Sequence, residues 1–334
     1  DMKLINKISK AFAVITVALL SFSCENDTEN VIEKYPTMVE ILEKDATNFS
    51  ILKAALIKTD LLNTFRNPGS YTLFAPKNSS FVAAGIDETT IAAMTPAQVA
   101  TLKRQLQYHV LSIGTLSEDF PTNGYMNSFS PFGTSTSISI SLHTNKASGI
   151  VLNGGTSNGG AKILEADINA SNGVIHVVDA VLSIPKVHNL IIANPELSSL
   201  VGVLTSAPQA AVLTDLTTTA TGATNALSRT VFAPTNAAFT SAAFLTGQSD
   251  ANITKVLKYH LENNNRRASS TTSFSSTALV INTQLTGPQQ TIAIAAATVK
   301  IADITANNAT IKTINIQGTN GVAHIIDKVL QPTL

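Results

Sequence analysis

The chain states one pattern twice, about a domain's length apart. Thr72-Leu73-Phe74-Ala75-Pro76-Lys77-Asn78-Ser79-Ser80-Phe81 returns as Thr230-Val231-Phe232-Ala233-Pro234-Thr235-Asn236-Ala237-Ala238-Phe239. Tyr108-His109 returns as Tyr259-His260, and Asn172-Gly173-Val174-Ile175-His176-Val177-Val178-Asp179 as Asn320-Gly321-Val322-Ala323-His324-Ile325-Ile326-Asp327. The offsets are 158, 151 and 148 residues, in unchanged order. Solenoid repeats recur every 20–50 residues because each unit is one supersecondary element. A repeat of about 150 residues is long enough to bury a core of its own. The pattern predicts one fold in two tandem copies.

Local signals give each copy helices first and strands last. Thr37 with Glu40 makes a capping box, after which Met38, Ile41 and Leu42 share a helical face, and Phe49, Leu52 and Leu56 repeat the spacing. In the second copy Asn194-Pro195 is an N-cap with proline behind it, followed by Leu197, Leu200, Val201 and Leu204. Tyr71–Ala75 and Thr230–Ala233 read as short strands stopped by proline, with Asn78 and Asn236 placed to cap the next helix. Thr95-Pro96-Ala97-Gln98 opens a helix that ends at the Tyr-His pair, with Val99, Leu102, Leu106 and His109 on one face; Ile253, Val256, Leu257 and His260 are the equivalents. Strands are expected at 137–142, 150–153, 162–168, 291–295, 299–304 and 310–316. Asn172-Gly173 and Asn320-Gly321 read as hairpin turns that launch a last, central strand. The copies differ in loops: Phe81 to Tyr108 spans 27 residues and Phe239 to Tyr259 only 20. Polar stretches at 217–224 and 263–277 read as mobile surface loops, and Gly154-Gly155 with Gly159-Gly160 as a hairpin loop. The junction Ser183-Ile184-Pro185-Lys186 is short enough to hold the copies close together.

The three boxes resemble the fasciclin (FAS1) family, whose stretches run T-x-F-A-P-T-N-x-A-F, then Tyr-His, then N-G-x-I-H-x-I-D. The resemblance covers nearly everything from Tyr35 onward; Lys77 and Ser80 depart from it in the first copy and Ala323 in the second. It implies two tandem α+β FAS1 domains, at 36–185 and 186–334, each a β-sheet wedge with helices packed on it. It also implies an extracellular module associated with adhesion. In that family the Tyr-His region has been linked to integrin-type adhesion.

Residues 1–23 read as a sorting signal: Lys3, Lys7 and Lys10 precede the apolar run 11–22. Twelve residues are too few to span a bilayer, which takes about 20. Cys24, the chain's single cysteine, follows Ser23 and resembles the lipidated residue of a bacterial lipobox, although Ser21 stands where leucine is usual. Acyl chains there, at about 0.8 kcal/mol per buried CH₂, would anchor the protein stably. Residues 24–35 then read as a flexible acidic tether, similar to the tag that carries some lipoproteins to the cell surface. Three of the 22 basic and one of the 22 acidic residues fall in the leader, leaving 19 and 21. A net charge so near zero supplies no field for nucleic acid, and contact with a membrane is expected through the anchor alone. Asn48-Phe49-Ser50 matches a glycosylation sequon without implying sugar in such a protein.

His109, His176, His260 and His324 are the tempting chemical groups. With Asp179 or Asp327 they fall short of a catalytic zinc site, which takes three protein ligands and an open position. No H-E-x-x-H and no G-x-S-x-G occurs. Histidines that continue an apolar stripe or sit mid-strand read as buried, hydrogen-bonded core residues. Tyr108 and Tyr259 are expected on the helix surface beside them, so Tyr108, His109, Tyr259 and His260 are the candidate interaction residues. No P-loop, dinucleotide fingerprint, cofactor or metal site is expected. The reading is a non-enzymatic outer-membrane lipoprotein that binds extracellular protein, matrix, polysaccharide or itself. The alternative is ligand or glycan capture for an outer-membrane uptake system.

Overall fold

In the first copy, three helices, α1 (Met38–Lys44), α2 (Ala46–Lys58) and α3 (Leu62–Arg66), precede strand β1 (Tyr71–Pro76). Helices α4 (Asn78–Ala83), α5 (Glu88–Ala92) and α6 (Pro96–Tyr108) follow, then β2 (Val110–Leu111), β3 (Asn123–Pro131), β4 (Ser139–Asn145), β5 (Val151–Leu152), β6 (Ala161–Ala170) and β7 (Gly173–Val178). The second copy runs α7 (Val187–Ile192), α8 (Ser198–Leu204), α9 (Ala210–Thr217), β8 (Arg229–Pro234), α10 (Asn236–Ser241) and α11 (Asp250–Tyr259). It ends in β9 (Leu261–Glu262), β10 (Leu279–Asn282), β11 (Thr291–Ile294), β12 (Lys300–Ala302), β13 (Asn308–Gly318) and β14 (Gly321–Ile326). This computed structural model describes residues 35–135, 137–218, 228–269, 274, 277–286, 291–294, 300–305 and 308–334. The expected leader, Cys24 and the tether to residue 34 lie outside the described residues, as do parts of the two polar loops.

The sheets have the same order, β2-β1-β7-β6-β5-β4-β3 and β9-β8-β14-β13-β12-β11-β10. In each, the proline-stopped strand pairs in parallel with the last strand, Phe74 opposite His176 and Phe232 opposite His324. Side chains alternate across these strands. Leu73, Ala75, Ile175 and Val177 therefore face the helices, in a core with Met38, Leu52 and Leu56. Phe74 and Val178 face a second core that they share with Ile140 and Leu142 of β4. In a flat sheet β1 and β4 would stand four spacings, about 19 Å, apart. Their shared core means that the sheet folds over itself. The bend falls in β6, which pairs with β5 at Ala161 and Lys162 and with β7 from Ile163 to Ala170, across two register shifts. Strand β13 has equivalent shifts, so each domain is the expected wedge.

The capping boxes at Thr37 and Thr95 form as the sequence predicts. Three local expectations are corrected. The helices after the proline-stopped strands are capped at Lys77 and Thr235, not at the asparagines. The hairpin loops are Ser171-Asn172 and Thr319-Asn320, with Gly173 and Gly321 already paired as the first strand residues. Glycine is required there because a Cβ would lie 1.9 Å from the Tyr71 carbonyl oxygen or 2.2 Å from that of Arg229. Residues 263–269, expected to be mobile, are pinned: the Arg266 amide donates to Thr230 Oγ1 and the Ala268 amide to Asn315 Oδ1. Phe274 beyond them is buried.

Pro36–Leu334 is one compact unit, held across the junction by amides. Asn158 and Asn189 exchange hydrogen bonds, Asn123 Nδ2 donates to Asn194 Oδ1, and the Gln317 amide donates to Ser141 Oγ at 2.9 Å. The paired glycines around 154–160 thus shape a loop that meets the second domain, since a Cβ on Gly154 would sit 3.2 Å from Ala193 Cα.

Candidate functional site

The Tyr-His pair ends α6 and α11, and both tyrosines are fully buried, which corrects their expected place on the helix surface. Helix α6 lies between the two cores, and Tyr108 turns away from solvent into the wedge. Its hydroxyl donates to the Ser141 carbonyl at 2.8 Å and accepts from Asn153 Nδ2. Tyr259 donates likewise to the Thr291 carbonyl. Burial raises both phenols, that of Tyr259 to about 12. His109 caps its helix: Nδ1 meets the Gln105 carbonyl at 2.8 Å and Nε2 accepts the Leu182 amide at 2.8 Å. His260 repeats this with Val256 and Leu330. Each imidazole therefore ties a helix end to the chain that leaves the last strand.

His176 and His324 have a different duty. The register shifts of β6 and β13 place Asp167 and Asn315 at φ 64° and 61°, with amides turned out of the ladder. Nδ1 of His176 accepts the Asp167 amide at 3.2 Å, and Nδ1 of His324 accepts the Asn315 amide at 3.3 Å. Nε2 donates to the carbonyl of Thr115 or Arg266. A ring that accepts at one nitrogen and donates at the other is neutral. Burial accordingly pulls His109, His260 and His324 down to about 4, with His176 lowered for the same reason.

Two sets of partners escaped the sequence reading. Phe74 stacks on His176 and Phe120 meets its edge at 5.0 Å; Phe232 and Phe274 bracket His324 in the same way. Phe120 and Phe274 lie 56 and 50 residues before their histidines, an unequal spacing that hides the repeat. The asparagines also reach farther than local capping. Asn78 Oδ1 accepts the Ile51 amide and its Nδ2 reaches the Thr47 carbonyl; Asn236 does the same for Ser199 and Pro195. Asn172 bridges Met38 to Phe65 and Asn67, as Asn320 bridges Val187 to Leu216 and Thr218. Asp179 and Asp327 accept the amides of Lys162 and Thr310, extending the strand ladder instead of orienting a histidine.

The repeated polar residues are thus spent on backbone groups that the fold would otherwise strand, each worth about 1–3 kcal/mol if left unpaired. Among the described residues no cluster of three or more His, Cys, Asp or Glu side chains is placed to hold a metal ion. Open space lies elsewhere. A polar cleft of about 410 Å³ separates β3 and β4 from β13, lined by Asn123, Tyr125, Asn127, Asn194, Glu196 and Arg267. Burial lowers the Arg267 guanidinium, which donates to Gln317 Oε1. A second space, about 380 Å³ and apolar, opens within the second domain between α8, α10 and α11.

Comparison with known proteins follows the same division. A fasciclin domain family model matches residues 47–185 and again 195–332. Protein sll1483 of Synechocystis sp. is 30% identical over 152 residues, 45% of this chain and 74% of that protein. Transforming growth factor-beta-induced protein ig-h3 of Sus scrofa is 28% identical over 149 residues, and the match spans 19% of its length. A solved FAS1 domain pair from the insect cell adhesion molecule fasciclin I aligns over 88% of this chain and 97% of its own, at 15% identity and a TM-score of 0.47. With both copies matched from box to box, the chain belongs to the fasciclin domain family, as a tandem pair.

Proposed function

We propose that this protein is a non-enzymatic interaction module, exported and held on the outer membrane by lipid on Cys24, that binds extracellular protein, matrix or polysaccharide. The observation that carries this reading is the complete internal use of the repeated histidines and asparagines. Groups with both hydrogen-bonding atoms committed to backbone have nothing left for a substrate. The fasciclin domain family, to which both copies belong and whose resemblance implies an extracellular adhesion module, accords with such a role. Recognition then falls to surfaces that are not repeated, and the polar cleft at the domain junction is the foremost of these. Asn123, Tyr125 and Asn194 hold its walls to one another, and the exposed Asn127 amide with the Glu196 and Arg267 side chains suits the hydroxyls of a sugar chain. A single carboxylate lines it, where glycoside hydrolysis ordinarily uses two. The same cleft favours the second reading, glycan capture on behalf of an uptake system.

Cell-aggregation and polysaccharide-array assays on the full lipidated chain test the proposal. Arg267→Ala is expected to weaken retention at least fivefold without altering the melting curve. Aggregation without array binding favours adhesion through protein, and array binding without aggregation favours capture. Turnover of any retained glycan would refute the non-enzymatic reading. Fatty-acid labelling that survives Cys24→Ala would refute the anchor.

A further inference from the structure

We propose that the second domain contains a binding pocket for a neutral, apolar small molecule of roughly two six-membered rings, in the space where the first domain keeps a helix. In the first domain α5 packs on α2 and contributes Ile91, which is 2% exposed. The seven-residue shorter connection of the second domain has only the 3₁₀ turn Ala243–Leu245 at this point. Three equivalent positions record the uncovering. Phe81, Ala55 and Leu102 are buried, whereas Phe239, Val203 and Ile253 are only half-buried. All three line the cavity of about 380 Å³.

The lining defines the ligand. An apolar cavity of about 150 Å³ stays dry and takes a benzene-sized guest, so this one has room for a molecule about twice as large. No Asp, Glu, Lys or Arg lines it. His260 at its floor has both ring nitrogens bound to backbone, and the Thr240 hydroxyl donates to Asn236. A carboxylate, phosphate or ammonium group would meet no opposite charge, only the exposed hydroxyls of Thr240 and Thr246, at a desolvation cost that apolar contact does not recover. The pocket therefore selects for neutral aromatic or aliphatic compounds and against their charged analogues.

The test is a fluorescence titration of the full chain with N-phenyl-1-naphthylamine, competed in parallel by naphthalene and by naphthalene-2-sulfonate. The expected result is saturable binding at one site per chain, with naphthalene competing at least tenfold better than the sulfonate. Val203→Phe and Ala242→Leu fill the space from two sides and are each expected to weaken binding tenfold or more. Circular-dichroism melting shows which of the two variants remains folded, and one is enough. Absence of saturable binding by the native chain would overturn the proposal. So would affinity unchanged in a folded filling variant, or equal competition by the sulfonate. Concentration-dependent dimers that exclude the probe would assign the pocket to a second copy of the chain and overturn it as well.

Discussion

The two domains share a strand order and a set of internal hydrogen bonds, yet they solve three local problems differently. Where the first covers its helical core with α5, the second leaves a cavity. Where the first sets the Tyr71 ring edge-on to Phe65, the second buries Arg229 beside Asp215. Where the first fills its bulge with Asp167, the second uses Asn315. Identical backbone needs have been met by unlike side chains, but the histidines and asparagines of the three repeated boxes have not been exchanged. The difference separates residues that the fold cannot replace from those that merely fill space.

The sharpest attempt to break this equivalence is His176→Ala set against His324→Ala. Each removes an acceptor from a bulge amide and a donor from a loop carbonyl, and leaves a gap between two phenylalanines. The expected cost is about 4 kcal/mol in either domain, measured by urea unfolding. If one substitution cost less than about 1 kcal/mol, the two sites would not be doing the same thing.

Acid should weaken both domains together. His109, His260 and His324 are held near 4 against an ordinary value of 6.5. Below about pH 6.5 the unfolded chain takes up protons that the folded chain refuses. The stability from neutral burial is therefore complete above pH 6.5, falls as pH drops, and is spent near pH 4. Each histidine contributes on the order of 3 kcal/mol over that window. Urea midpoints across pH 4–8 check this; a flat profile would mean that the imidazoles can charge in place.

A smaller effect attaches to the ion pair. The Arg229 side chain is 9% exposed and that of Asp215 31%, and their hydrogen bonds hold the carboxyl below its usual range. Asp215→Ala leaves a buried cation and is expected to cost about 2 kcal/mol, less than for a fully buried pair. Combining Asp215→Thr and Leu216→Phe with Arg229→Tyr copies Thr64, Phe65 and Tyr71 of the first domain and should recover most of the loss. Failure to recover would show that the surroundings of the pair, and not the pair alone, have diverged.

Much of this frame was legible in the residues. The boxes predict the tandem fold, the capping boxes predict the starts of α1 and α6, and the apolar stripes predict the burial of the histidines. Tyr108 and Tyr259 were not legible as core, because helical periodicity gives the direction of a side chain from its own axis. It does not register that a folded-over sheet covers the far side. Strand β3 was missed for a related reason: Asn123 and Tyr125 are polar because they bond Asn194 and Leu190 of the other domain, which a polar run in a sequence does not distinguish from a loop. Asn78 was misassigned because local capping and a reach of about 30 residues place the same side chain at the same junction. The junctional cleft has no motif, being made of residues from both copies.

The finest discrimination between the domains lies at the bulge. Asp167 accepts from the amide of Ser117 and from its hydroxyl, whereas Asn315 both accepts from the Ala268 amide and donates to its carbonyl. The first latch uses a carboxylate and the second carries no charge. Partial burial opposes ionisation of Asp167, but the hydrogen bonds from Ser117 outweigh it and leave the carboxyl below its ordinary value. A depressed carboxyl stabilises the fold above its unfolded value of about 3.9 and loses that contribution as pH falls through the folded value. Asp167→Asn should therefore change stability at pH 7 by less than about 1 kcal/mol, since the side chain is 37% exposed. It should also remove the acid dependence of amide exchange at Ser117 while leaving Ala268 untouched. Exchange at Ser117 that still accelerates below pH 4 in the variant would place the acid sensitivity of that loop in His176 instead.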